Sequence, residues 1–159
     1  MLYPIGIQSF KEVREGGYAY VDKTSLVYQI THSGKYFFLS RPRRFGKSLI
    51  LSTIEAYFEG RKELFEGLAI AELEKDWNAY PVIHIDMNTG NYESIDGLKR
   101  RINLTMSEQE KKHGQPSIES DSGLRLESLI KNIHESTGRN VVVLIDEYDK
   151  PLLEAIGKP

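Results

Sequence analysis

A chain of 159 residues suits one domain, large enough to bury roughly two-thirds of its unfolded surface. Hydrophobic residues make up 40% and charged residues 28%, and the net charge of −2 sets up no global field toward nucleic acid or an anionic membrane. The chain has no cysteine, which excludes disulfides, Cys-ligated zinc and thiol chemistry. The start "MLYPIGIQSF" lacks a basic segment followed by a long apolar core, so no signal peptide is expected. No apolar run approaches the roughly 18 residues of a membrane span, and the expected compartment is the cytoplasm.

In chain order, "YAYVDKTSLVYQITHSG" opens with a short aromatic, β-prone piece. Asp22 or Thr24 then caps a helix carrying Leu26, Val27 and Ile30, which Gly34 stops. "KYFFLS" is a short apolar run bounded by turn signals, the pattern of a buried strand at about 36–40. After Lys47, the residues Leu49, Ile50, Ile54, Tyr57 and Phe58 recur at helical spacing up to Gly60. "KELFEGLAIAELE" predicts a second, short helical segment. "YPVIHIDMN" predicts a strand at about 82–86, with Pro81 at its start, where proline is tolerated.

"SIDGLKRRINLTMSEQEKKHG" predicts a polar-faced helix ending near Gly114, followed by the loop "QPSIESDSG". Leu124, Leu126, Leu129, Ile130 and Ile133 predict a helix closing at Gly138. "NVVVLIDEYD" is a continuous β-branched run at about 141–145, expected to be buried on both faces as in a helix-covered parallel sheet. Strands alternating with helices predict an α/β layered domain, and no strong linker divides it.

The stretch "SRPRRFGKSLI" sits between the first apolar run and a helix, where a phosphate-binding loop belongs. The usual pattern is G-x-x-x-x-G-K-[ST], but this chain has Arg41 at the first position. Gly-Lys-Ser/Thr alone arises by chance in roughly one chain in ten of this length. The chemistry nevertheless fits. Gly46 removes a Cβ where backbone approaches phosphate, Lys47 supplies a point charge, and the Ser48 hydroxyl suits Mg²⁺. Pro42 stiffens the loop, and Arg43 and Arg44 raise its potential and are candidates to contact phosphate. Downstream, Val141 to Ile145 run directly into Asp146 and Glu147. Asp146 is the candidate Mg²⁺ acid and Glu147 the candidate general base, at the carboxyl end of a strand, where ligands bind in open α/β sheets.

Other residues carry weaker signals. Asp86 lies near its strand end and is a candidate to face the site, whereas His84 reads as structural. Asp149 suits a turn before Pro151. Lys99–Arg101 reads as a solvated helix face, and Trp77 with Tyr80 as packing. His32, His113 and His134 show no metal-ligand spacing.

The segments "YVDKT", "RPRRFGKS" and "LIDEYDKP", with "YPVIHIDM" between them, resemble the bacterial and archaeal AAA-ATPase-like family over essentially the whole chain, Tyr3 to Pro159. Many members carry a PD-(D/E)XK nuclease-like domain after the ATPase part, so the chain resembles an N-terminal part. The resemblance implies a three-layer, ASCE-type P-loop parallel sheet of order 5-1-4-3-2. The three candidate strands would be its strands 1, 2 and 3, with strands 4 and 5 missing from the chain. Arg41 is ordinary in that family. The implied nucleotide site is Arg41, Pro42, Arg43, Arg44, Phe45, Gly46, Lys47, Ser48 and Leu49, with Tyr20 and Asp22 bordering the adenine. Ser48 and Asp146 would hold Mg²⁺, and Lys47 and Glu147 would be catalytic.

The expected function is Mg²⁺-dependent binding and hydrolysis of ATP (or GTP), coupled to a nuclease-like or partner domain. The alternative is a nucleotide-responsive or inactive regulatory module. A third reading, nucleic-acid binding through Arg41, Arg43, Arg44 and Lys99–Arg101, has the balanced charge against it. Unpaired strand edges make self-association an expected hazard.

Overall fold

A computed structural model describes residues 2–40, 45–88, 94–116 and 121–151. The chain divides into two compact units, residues 1–79 and 80–159, although no shift in composition marks that boundary.

The first unit is helical. Helix α1, Phe10–Glu15, begins at Ser9, whose hydroxyl accepts the Glu12 amide proton. Helices α2, Thr24–Ser33, and α3, Lys47–Phe58, follow, then a 3₁₀ turn, Lys62–Phe65, and the short α4, Ala69–Leu73. The core is aromatic. Phe10 and Phe65 are fully buried with ring centroids 4.8 Å apart, and Trp77 packs on Phe65 at 5.2 Å, the packing role its sequence context suggests. Two polar ties position α3 and α1. The Ser52 hydroxyl accepts the Phe10 amide proton and donates to the Gln8 carbonyl, and the Arg14 guanidinium donates to the Leu64 and Glu66 carbonyls.

The run at 36–40 forms no strand, contrary to its pattern. Tyr36, Phe37 and Phe38 are 94%, 55% and 71% exposed. An apolar run becomes a strand only when neighbouring backbone completes its ladder, and composition cannot supply that neighbour.

The second unit runs strand, helix, helix, strand: β1, Val82–Asp86; α5, Ile95–Lys112; α6, Ser122–Thr137; β2, Val142–Asp146. The strands pair in parallel, in register from Val82 with Val142 to Asp86 with Asp146. The two helices form the connection that parallel neighbours require. Helix starts are capped by side chains: the Ser94 hydroxyl accepts from the Gly97 amide, and the Asp121 carboxylate from Gly123 and Leu124. Gly138, at φ 65°, ends α6 in the left-handed conformation that glycine adopts freely. Ile83, Ile85 and Met87 pack with Met106, Leu129 and Ile133 into the unit's core.

The expectation of a strand buried on both faces fails at β2. Leu144 is buried, but Ile145 is 47% exposed. Among the described residues β2 has one neighbouring strand. The outer edge of β1, by contrast, is covered by side chains of α5 and of His113 just past its end. Arg101, Gln109 and His113 donate to the carbonyls of Asp86, His84 and Val82, at 3.1, 3.0 and 3.0 Å. Every carbonyl of β1 that faces away from β2 is thereby satisfied, which blocks the edge against further pairing. Arg101 is thus no solvated surface charge, whereas Lys99 and Arg100 are exposed as expected. Of three expected strands two form, and the chain is mixed α/β with a two-stranded parallel sheet. Among the described residues no helix is long and apolar enough to cross a membrane.

Candidate functional site

Helix α3 differs from its neighbours in how it begins. Its preceding residue, Gly46, has φ 73°, a conformation that strains any residue with a side chain. Among the described residues a Cβ there would meet nothing within 4 Å, so the backbone conformation, not crowding, demands glycine. Among the described residues no side chain caps the helix, and its first turn carries no acid. The Gly46 carbonyl accepts from Ile50 at 3.0 Å, which leaves the N–H groups ahead of it with no helical acceptor. Lys47, Ser48 and Leu49 occupy this first turn, half-buried, and Phe45 and Gly46 are exposed. Backbone donors that have no helical acceptor, the positive end of the helix dipole, a lysine and a hydroxyl therefore share one helix start, the arrangement that suits an anion. Arg41, Pro42, Arg43 and Arg44 lie outside the described residues.

Tyr20 and Asp22 stand within the same unit, where they hold other elements in place. Tyr20 packs edge-on to Phe10 with centroids 5.2 Å apart, and burial pushes its hydroxyl pKa up. The Asp22 carboxylate accepts from the Thr24 amide at 2.8 Å, the Thr24 hydroxyl at 2.7 Å and the Ala69 amide at 2.7 Å. The fully buried Thr24 hydroxyl in turn accepts from the Ile70 amide at 3.1 Å. "YVDKT" thus joins the start of α2 to the start of α4, a role invisible in sequence because Ala69 is 47 residues away.

Burial opposes the Asp22 charge, but the three donated hydrogen bonds outweigh it and hold the carboxyl below its ordinary value. A lowered folded pKa contributes stability that is present above the unfolded value and lost as pH falls through the folded one. Asp22→Ala is expected to lower stability by about 1–2 kcal/mol at neutral pH, the cost of lost caps. The loss should shrink as the pH of the urea titration drops below the carboxylate range.

In the second unit, Asp146 ends β2 and is 6% exposed. Its Oδ1 accepts the Glu147 amide proton at 2.9 Å, and no ion pair reaches it among the described residues. A buried carboxylate is ordinarily paired or bound to a cation. Asp86 is its register partner on β1, so the two side chains leave the same face at the carboxyl end of the sheet. Glu147 follows with φ 52°, a left-handed conformation in a non-glycine residue, which marks stored backbone strain. Asp149 lies in the turn that follows, as its place before Pro151 suggests.

Among the described residues no group of three or more His, Asp or Glu could hold a metal alone. Mg²⁺ does not need such a group. It binds through one or two oxygen ligands of the protein together with phosphate and water, and Ser48 and Asp146 are hard oxygen donors of that kind. The structure gathers Phe45 to Leu49 at one helix start in the first unit and Asp146 with Glu147 at one strand end in the second.

A mixed α/β chain with an uncapped Gly-Lys-Ser helix start and a parallel strand ending in Asp-Glu has the parts of a nucleotide-binding domain. The chain belongs to the AAA-ATPase-like family, described as predicted AAA-ATPase, whose model matches residues 4–159. It is 40% identical over 158 residues to a protein of Azotobacter chroococcum mcd 1 named "Uncharacterized protein in vnfD 5'region". The match covers 98% of this chain and 30% of that protein, so the chain spans about a third of its relative's length. No solved structure matches it.

Proposed function

We propose that the chain is an Mg²⁺-dependent nucleoside-triphosphate binding domain that hydrolyses ATP, part of a three-layer P-loop domain at the N-terminal side of a longer protein. The observation that carries this reading is the glycine-opened, uncapped start of α3 with Lys47 and Ser48 in its first turn. Those N–H groups would cradle the phosphates, and Lys47 Nζ would meet charge on the β- and γ-phosphates. Ser48 and Asp146 would hold Mg²⁺, which when bound neutralises phosphate charge. Glu147 would orient the attacking water and take its proton on a carboxylate oxygen. In the longer protein, turnover would drive a nuclease-like or partner domain.

Titration with ATP, with and without Mg²⁺, tests this reading, with GTP in a parallel arm. Saturable binding that tightens with Mg²⁺ is expected. Equal, non-saturating signals in all arms would sink it. The exposed Tyr36–Phe38 run favours a second reading for the isolated chain, in which it binds nucleotide and regulates a partner without turnover. Tight binding with hydrolysis at background would select that one.

A further inference from the structure

"LIDEYDKP" contains one basic residue, Lys150, and the proposed chemistry gives it no work. Its amide donates to the Glu147 carbonyl at 3.0 Å and closes the turn that Glu147 opens. Its ammonium group donates to the Asn88 carbonyl and lies 3.4 Å from Asn88 Oδ1. Asn88 is itself tied down, since its amide donates to Asp86 Oδ1 at 2.7 Å. A continuous chain of hydrogen bonds therefore runs from Asp86 through Asn88 and Lys150 to Glu147. It bridges the turns that leave the two paired strands. Glu147 holds a left-handed backbone, at φ 52°, which a non-glycine residue keeps only when its surroundings over-determine it. The Lys150 bridge is a constraint that spans this turn, with one end on the Glu147 carbonyl and the other on the neighbouring strand's exit.

We propose that Lys150 is a positioning residue for Glu147: by clamping the turn after β2 to the turn after β1, it fixes where the Glu147 carboxylate points. The proposal rests on the reading of Glu147 as general base. It makes Lys150 no ligand of the nucleotide, so its loss should act on rate and leave affinity alone. Its effect should also pass wholly through Glu147.

The test uses the full chain with Lys150→Met, Lys150→Arg, Glu147→Gln and the Lys150→Met/Glu147→Gln double variant. Three quantities are read: Mg²⁺·ATP affinity, single-turnover hydrolysis, and amide exchange of residues 147–150 without nucleotide. Lys150→Met should keep affinity within about twofold and lower the rate about 10- to 100-fold, the usual result of misplacing a catalytic group. Exchange at the Lys150 amide should speed up, Lys150→Arg should recover most of the rate, and the double variant should be no slower than Glu147→Gln alone. The proposal is overturned by an unchanged rate in Lys150→Met, by affinity falling in step with rate, or by a further loss in the double variant. If Lys150→Met fails to fold, a Lys150→Arg rate no better than that of Glu147→Gln overturns it too. A wild-type chain that binds Mg²⁺·ATP without turnover overturns the positioning role and leaves the nucleotide site standing. A wild-type chain that does not bind overturns the ATPase reading itself.

Discussion

Lys47→Ala is expected to weaken ATP binding about 10- to 100-fold, and Glu147→Gln to leave binding within about twofold while lowering turnover about 10²- to 10⁴-fold. The two variants separate because the proposed reaction uses the residues at different steps. Lys47 lies in the first turn of α3, where backbone donors and the helix dipole already favour an anion. Removing it takes away one charge-assisted contact, worth about 1.5–3 kcal/mol, and leaves the rest of the anion site. Glu147 lies past the end of β2, and the proposed reaction gives it no part in holding phosphate. Glutamine keeps its size and hydrogen-bonding reach but cannot accept the proton from water. Calorimetric titration and a phosphate-release assay read the two effects. Equal ATP affinity in Lys47→Ala and wild type would end the case for the helix start as a phosphate site. Undiminished turnover in Glu147→Gln would remove that residue as the base.

Most of the elements could be read from local pattern. Gly34 and Gly138 end α2 and α6 where expected, and the strands expected at about 82–86 and 141–145 pair as Val82–Asp86 and Val142–Asp146. Local pattern fails where a structure depends on a distant partner. Tyr36–Ser40 has a strand's composition but no ladder. Asp22 looks like an ordinary cap, but its second helix start lies 47 residues on. Helix α5 misleads most. Its polar side chains read as solvated, yet Arg101 and Gln109, with His113 just past its end, cover the edge of β1. A different polar stripe, Asn103, Ser107 and Glu110, at i, i+4 and i+7, lies on the other side of the helix and meets Arg125 of α6. Of the site itself, the Gly-Lys-Ser turn and the Asp-Glu strand end were both legible. The strained backbone of Glu147 and the Lys150 bridge were not, because neither leaves a trace in residue type alone.

That polar stripe underlies the largest expected loss of stability. Glu110→Ala should lower unfolding free energy by about 3–5 kcal/mol, a large share of the roughly 5–15 kcal/mol typical of a domain. Glu110 and Arg125 join α5 to α6 by a two-pronged contact, Arg125 Nε to Oε1 at 3.0 Å and Nη2 to Oε2 at 2.7 Å. Their side chains are only 7% and 8% exposed. Arg125 also donates to Asn103 Oδ1 and the Ser107 hydroxyl, both at 3.0 Å. Removing the carboxylate strands a guanidinium away from water with only neutral acceptors on Asn103 and Ser107, and that uncompensated charge sets the cost. The attraction between the ions is a lesser matter, because each gave up its hydration to enter. Glu110→Leu with Arg125→Leu should therefore recover most of the loss, since no charge is left behind. Urea midpoints at constant slope measure both changes. If Glu110→Ala cost under about 1 kcal/mol, the pair would be behaving as a surface ion pair, and burial would not be what gives this contact its weight.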